Sequence, residues 1–427
     1  MHSGPEKNIT DTKNIGHFRW VIVTLVFFAT TINYVDRQVI GILAPILQKD
    51  IGWSQIEYGY IVTAFTAAYA IGLLLVGRLM DIFGTKKGYA ASLTGWSFAA
   101  IGHALAGSAF GFGAARFILG FFEAGNFPAA VKTVAEWFPK RERAFATGLF
   151  NAGSNAGAIL APLVVPLITD LWGWQEAFII TGAAGFIWLI FWFRYYDTPE
   201  KSKYLGKAEL EYIQSDPPDT LVKIPWKMLV KYRGTWAFAL GKLLSDPAWW
   251  FYLYWIPKFL NEKHGLTINE FAAPLIIIYL MADVGSISGG WLSSFLLKRG
   301  WSVNRSRKTA MLVCALCAVP IIFASRVSNV WLAVGLLSLA TAAHQGWSAN
   351  LFTTVSDIFP RKAVASVVGM GGTFGAIGGM FIASAAGFIL EFTGSYFILF
   401  AIAGSLYLLA FLVINILIPE IREVEIS

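Results

Sequence analysis

Asn33-Tyr34-Val35-Asp36-Arg37-Gln38 places two charges inside an apolar run that extends from about Val21 to Leu43. At 1.5 Å of rise per residue, a helix over that run is long enough to cross a bilayer. A charged side chain at the centre of a membrane helix costs roughly 2.5 to 3.5 kcal/mol on insertion scales, so an adjacent Asp and Arg point to a binding site or a proton relay. Asn33 and Arg37 are four apart and share a helix face with Tyr34 beside them, so Arg37 reaches into a cavity with an amide and a phenol while Asp36 turns toward a neighbouring helix. The alternative is that Asp36 and Arg37 lie high enough to snorkel to the interface and merely end the helix.

The chain around this stretch has the composition of a polytopic membrane protein. It has 427 residues, of which 56% are hydrophobic and 14% charged, with 41 Gly and 17 Trp, and a mean hydropathy of +0.59. Soluble domains are roughly 25% charged. Cys314 and Cys317 are the only cysteines, and in an apolar run without a metal set they read as small core residues. The first eighteen residues are polar and no cleavage-site pattern follows the first apolar run, which is therefore expected to be a true span.

Twelve apolar runs of about twenty residues are centred near 31, 67, 97, 122, 153, 185, 247, 282, 316, 342, 376 and 406. Loops on one side carry Lys7, Lys13, Arg19, Arg78, Lys86, Lys87, Lys140, Arg141, Arg143, a dense group from Arg194 to Arg233, Lys298, Arg299, Arg305, Arg307, Lys308, Arg361, Lys362 and Arg422. The other side has only Lys49, Lys258, Lys263 and Arg326. This asymmetry predicts that both termini and the central loop are cytoplasmic. The net charge of +7 thus reports topology and gives no reason to invoke nucleic acid.

The first span is expected to end near Ala44-Pro45, and the second runs into Gly77-Arg78-Leu79-Met80-Asp81-Ile82-Phe83-Gly84-Thr85-Lys86-Lys87-Gly88. Glycines there permit a tight turn and close helix approach, while Asp81 faces cations and helix termini. The stretch Glu136-Trp137-Phe138-Pro139-Lys140-Arg141 recurs as Asp357-Ile358-Phe359-Pro360-Arg361-Lys362, and Gly148 and Gly157 match Gly369 and Gly378 at the same offset. Two six-helix halves related by duplication follow. The expected division is a tail over 1–18, a bundle over 19–196, a central loop over 197–233 with a short helix near Lys207 to Ile213, a second bundle over 234–418 and a tail over 419–427.

In the fourth span Arg116 and Glu123 are seven residues apart, which returns them to within about 20° of one direction, with Asn126 nearly on the same face. Two arginines and two carboxylates around one cavity indicate an anion site coupled to protons, since a guanidinium fork fits a carboxylate bidentately. The competing reading is a structural ion pair, Asp36 with Arg116 for instance, that holds the first and fourth spans together. Asn151 and Asn155 of the fifth span share a face, Asp246-Pro247-Ala248-Trp249-Trp250 and Tyr254 in the seventh offer a bend and aromatic platforms, and His344, Gln345 and Asn350 lie in the tenth. His103 and His264 look peripheral.

The stretch beginning at Gly77, with Leu79, Asp81, Gly84 and Lys86, resembles the signature loop of the major facilitator superfamily, departing from it at Ile82 and Thr85. A weaker second copy runs from Gly290 to Arg299, with Ser294 in place of the Asp. Asn33 to Gln38, the Arg116 and Glu123 pair and the Gly-rich fifth span look like the anion:cation symporter family within it. The stretches Leu244 to Trp249, Trp255-Ile256-Pro257, Ala282-Asp283-Val284-Gly285 and Ala343-His344-Gln345 resemble bacterial hexuronate transporters. That resemblance implies an all-α integral membrane protein of the major facilitator fold, with twelve transmembrane helices in two pseudo-symmetric six-helix bundles. It also implies uptake of a hexuronate anion, glucuronate or galacturonate, with protons across the bacterial inner membrane, by a protein that works as a monomer without a cofactor and is not an enzyme. By the same resemblance Asp36 and Glu123 handle protons and Arg37 grips the substrate carboxylate. Tyr34, Arg116, Asn151, Asn155, Trp249, Trp250, Tyr254, His344, Gln345 and Asn350 are the other substrate-contact candidates, and Gly77, Asp81, Gly84, Lys86 and Arg141 the gating ones. Some hexuronate transporters lack the Asp of the first span, which this chain has. Other organic anions, such as aldonates, aldarates or aromatic acids, and a receptor that binds without translocating remain as rival readings.

Overall fold

The computed structural model describes residues 16–215 and 226–424; within its helices, positions 74, 77–79, 81, 140, 141, 144, 145, 226, 361, 362 and 365 have side chains outside that description. Gly77, Asp81 and Arg141 of the expected gating set fall among these, whereas Gly84 and Lys86 are described.

Every regular element among the described residues is helical. The first half of the chain forms α1 (Phe18–Ile51), α2 (Gln55–Phe83), α3 (Thr85–Gly102), α4 (Ala109–Glu123) continued by α5 (Asn126–Trp137), α6 (Lys140–Trp172) and α7 (Trp174–Tyr195). Two short helices follow, α8 (Lys207–Ile213), where the sequence predicts one, and α9 (Trp226–Leu229). The second half forms α10 (Arg233–His264), α11 (Ala272–Lys298), α12 (Val303–Ala318) with a 3-10 extension over Val319–Arg326, α13 (Val330–Ile358), α14 (Arg361–Thr393) and α15 (Tyr396–Leu417). With α4–α5 and α12 plus its extension each taken as one rod, these are the twelve spans. Eight are long and apolar enough on their own to cross a membrane. The other four are α3, α4–α5, α10 and α13, and the last three bring in many of the buried polar side chains. Large apolar side chains point outward all round, among them Leu167, Ile190, Ile287, Phe381 and Ile416, each at least 60% exposed. So wide an apolar exterior suits lipid rather than water.

The internal repeat is visible in backbone geometry. Pro139 and Pro360 cap α6 and α14 with nearly the same dihedrals, φ −64° and ψ 153° against φ −60° and ψ 150°. Each proline stands where a helix N-terminus needs no N–H, and each helix is 33 residues long. Gly157 lets α6 lie on α1, since a Cβ there would sit 2.5 Å from the Thr31 carbonyl oxygen; Gly378 does the same for α14 on α10, 2.4 Å from the Leu243 carbonyl oxygen.

Two expectations are corrected, on α1 and on His103. α1 does not end at Ala44-Pro45: Pro45 lies inside the helix, which runs on to Ile51 and closes on Gly52 at φ 77°. Proline removes one backbone bond, and flanking packing carries the helix through. The signature stretch turns tightly, as its glycines permit: α2 continues to Phe83 and α3 starts at Thr85, with Gly84 at φ 78° between them. His103 is not peripheral; it is fully buried, its Nδ1 2.8 Å from the Ala99 carbonyl oxygen and its ring stacked on Phe178.

An even number of crossings puts Phe18, the start of α1, and Leu417, the end of α15, on one side, called here the tail side. The two halves meet toward the far side. Gly59 of α2 packs on Gly387 of α14, beside a 2.8 Å Thr63 to Ser384 hydroxyl bond. The Tyr58 hydroxyl donates to the Tyr254 carbonyl at 2.9 Å, and Asn269 donates to Asp170 at 2.6 Å. This closes the far end above the centre of the molecule.

Candidate functional site

Below that closure, α1, α2, α4 and α10 converge on Arg37. Its Nε and Nη2 both lie 2.9 Å from Glu123 Oε2, and Nη2 also donates to Asn33 Oδ1 at 3.3 Å. Arg37 is 4% exposed and Glu123 fully buried. Its guanidinium carbon lies 4.7 Å from the ring centroid of Tyr34, 4.9 Å from Tyr69, 5.3 Å from Phe65 and 5.7 Å from Trp250. A cation enclosed by ring faces is stabilised without being neutralised.

Arg116 is the second cation, also fully buried, 4.6 Å from the Phe65 ring and 5.5 Å from that of Tyr254. It does not pair with Asp36. Its Nη2 donates to the Arg37 carbonyl at 3.1 Å, while Nε and Nη1 have no hydrogen-bond partner within the protein. Asp36 is buried with neither oxygen hydrogen-bonded, the Thr181 hydroxyl facing it, and Glu123 Oε1 is equally unspent. Buried polar groups are normally partnered. Asn33 Nδ2, Asp36, Arg116 and Glu123 Oε1 bring several such unpartnered atoms close together.

The backbone helps to set the stage. Pro128 has no N–H for the Ala124 carbonyl, so the rod breaks between α4 and α5 directly after Glu123. Gly125 at the break lets α3 approach, a Cβ there falling 2.3 Å from Ser92 Oγ. Asn126, the first residue of α5, accepts from the Tyr89 hydroxyl at 2.6 Å and donates to Thr30 at 3.2 Å, tying α1, α3 and α5 together.

The remaining candidates divide. Tyr34, Trp250 and Tyr254 join the arginine cluster. Asn155 of α6 donates to Asp283 of α11, a link between the two halves, and Asn151 on the same face is exposed. In the second half, Trp249 stacks on His344 at 5.1 Å and 11°, and His344 Nδ1 lies 2.8 Å from the Tyr407 hydroxyl. Gln345 is partly exposed, whereas Asn350 is buried and gives its amide at 2.9 Å to the carbonyls of Gly289 and Gly346, fastening α13 to α11. Sequence reading missed Phe65 and Tyr69, whose spacing of four on α2 was the available signal, and Lys242, which pairs with Asp246 at 2.7 Å. Among the gating candidates, Lys86 pairs with Asp197 at 3.0 Å. Among the described residues no cluster of His, Cys, Asp or Glu is arranged to hold a metal.

Such a fold, with cations and carboxylates buried at the meeting of two helical halves, defines a membrane transporter. The chain belongs to the Major Facilitator Superfamily, whose profile matches residues 26–383, and it is accordingly a transporter and not an enzyme. It is 33% identical over 422 residues to the hexuronate transporter of Escherichia coli K12, covering 97% of each chain. It is 36% identical over 309 residues to the galacturonate transporter of Dickeya chrysanthemi, covering 70% of this chain and 89% of that one. The D-galactonate transporter of Escherichia coli O6:H1 matches at 29% over 390 residues, 88% of this chain and 90% of that one. Among solved structures, the inward-open xylose transporter XylE of Escherichia coli superposes with a TM-score of 0.72 at 15% identity, over 94% of this chain and 97% of that one.

Proposed function

We propose that this transporter imports a hexuronate, glucuronate or galacturonate, together with protons. The observation that carries the reading is the buried Arg37–Glu123 pair inside an aromatic cage. Relatives named as hexuronate and galacturonate transporters support the substrate class.

A substrate carboxylate can occupy the fork of Arg37 only by displacing Glu123, because both carboxylates want the same two donors. A displaced, buried Glu123 has lost its counter-charge, and a proton from the far side relieves that cost. Proton and anion are thereby held together in one state. Arg116, with two donors unspent, takes the second carboxylate oxygen or a ring hydroxyl. Tyr34, Trp250, Trp249, His344, Gln345 and Asn155 contact the sugar. Asp36 is the second proton carrier. One proton per monoanion makes uptake electroneutral; two move a positive charge inward, worth about 2.3 kcal/mol per 100 mV.

The halves rock about the central site. The signature stretch from Gly77 to Lys86, with Arg141, secures the tail side when the far side opens. The protein works as a monomer in the bacterial inner membrane with both termini cytoplasmic, so the far side is periplasmic.

The test is uptake of radiolabelled glucuronate into proteoliposomes under an imposed pH gradient, for the wild type, Arg37→Ala and Glu123→Gln. Gradient-driven accumulation that is lost in Arg37→Ala and reduced to passive exchange in Glu123→Gln is the expected result. Flux of neither glucuronate nor galacturonate under any gradient overturns the substrate, and aldonates or aldarates then become the anions to try.

A further inference from the structure

Lys258 of α10 is fully buried near the far-side closure, and its Nζ donates no hydrogen bond within the protein. A cation taken out of water is ordinarily paired closely. Among the described residues, the one carboxylate within ion-pair range is Glu262, at 3.9 Å. Glu262 is itself engaged by the Tyr396 hydroxyl at 2.7 Å and the Gln55 amide at 3.1 Å. Lys258 and Glu262 stand on one helix, so their pairing cannot lock one half of the molecule to the other. What covers Lys258 from the other half is the Tyr58 ring, 4.9 Å from Nζ.

Below this residue the cations and rings continue inward. Tyr254 lies one helical turn from Lys258 on the same face, and Arg116 is 5.5 Å from the Tyr254 ring. Arg116 shares Phe65 with Arg37. The result is a ladder of three buried cations separated by ring faces, running from the closure to the central pair. When the halves part on the far side, Tyr58 withdraws with α2 and leaves an ammonium with unspent donors at the mouth.

We propose that Lys258 is a first anion-binding station for substrate arriving from the far side, which holds the carboxylate before Arg116 and Arg37 take it over. The inference rests on the anion-import reading above. It makes a sided claim, because substrate approaching from the tail side reaches Arg37 without passing Lys258.

The experiment compares the wild type with Lys258→Met, Lys258→Gln and Lys258→Arg in right-side-out and inside-out membrane vesicles, sidedness being assigned by protease cleavage of a tag on the C-terminal tail. Losing a charged hydrogen-bond donor raises KM for radiolabelled glucuronate roughly tenfold in the Met and Gln variants. That rise is expected on the far side alone, with tail-side KM unchanged and the Arg variant close to wild type on both. An unshifted far-side KM, an equal shift on both sides, or a change in kcat alone overturns the proposal. If only the Arg variant can be produced, Lys258 is a structural cation and the proposal also falls. Absence of wild-type glucuronate flux overturns the import reading and this inference together, whereas wild-type flux with unshifted variants removes this inference only.

Discussion

Arg37 of α1 and Glu123 at the end of α4, 86 residues apart in the chain, meet at 2.9 Å, with Arg37 4% exposed and Glu123 fully buried. Removing one partner of such a pair leaves an uncompensated charge in a dry site, which costs about 3 to 5 kcal/mol. The pair is stable only while both charges are present or one is replaced by something equivalent. In the proposed mechanism a substrate carboxylate takes the place of Glu123, and that exchange is what would tie binding to protonation.

Glu123→Gln keeps the shape of the side chain and removes the charge. Arg37 is then free to bind anions without a proton being taken up. Gradient-driven accumulation should fall at least about tenfold while counterflow exchange persists, and the pH dependence of substrate affinity should flatten. Counterflow and accumulation assays on the same proteoliposomes check this.

Arg37→Lys keeps the charge but loses the planar fork that lies 2.9 Å from Glu123 through two nitrogens. KM for the anion should rise roughly ten- to a hundredfold, since a point charge cannot make two parallel hydrogen bonds to one carboxylate. Calorimetric titration with glucuronate separates this from any loss of kcat.

Gly59→Val places a side chain where a Cβ already meets the Ala383 carbonyl oxygen at 2.8 Å and Gly387 Cα at 3.1 Å. The far-side closure cannot then form without backbone movement, so the far-open state gains population. A cysteine introduced at Thr63, which bonds Ser384 at 2.8 Å in the closed arrangement, should react with a membrane-impermeant thiol reagent several-fold faster in the Gly59→Val background.

Asp197, which follows α7 outside the membrane spans, reports on the tail side. Burial works against its ionisation, but hydrogen bonds from Lys86 Nζ and the Thr198 N–H outweigh it and hold the carboxyl below the usual carboxylate range. A depressed folded-state value means that the contribution to stability is present above the unfolded value, near pH 4, and is lost as pH falls through the folded one. Thermal denaturation of the wild type and Asp197→Asn should differ at pH 7 and converge at the lowest pH that the protein tolerates.

Much of the fold was legible because a bilayer imposes a severe code. Charges are expensive in lipid, so apolar runs count the spans. Duplication was legible in Pro139 and Pro360 because a helix start needs a residue that can spare its N–H. The end of α1 was not legible at Pro45, since a proline removes one local bond and its neighbours decide whether the helix survives. Asn350 reads as one of the polar residues of the tenth span, but that its Nδ2 binds the Gly289 and Gly346 carbonyls was not legible. Helical period shows which face a side chain occupies, not which helix will be opposite.

From sequence alone this protein was a twelve-span helical chain with duplicated halves, and Asn33, Tyr34, Arg37, Arg116 and Glu123 were its unusual polar residues, because burial in lipid makes each of them costly and therefore visible. Only the tertiary structure decided their partners. Arg37 went to Glu123 and not to solvent, Arg116 went to a backbone carbonyl and not to Asp36, Phe65 faced both cations and Tyr69 faced Arg37. The cause is geometric: a guanidinium on a long stem can reach several acceptors, and the side chains that α2, α4 and α10 bring to Arg37 select among them.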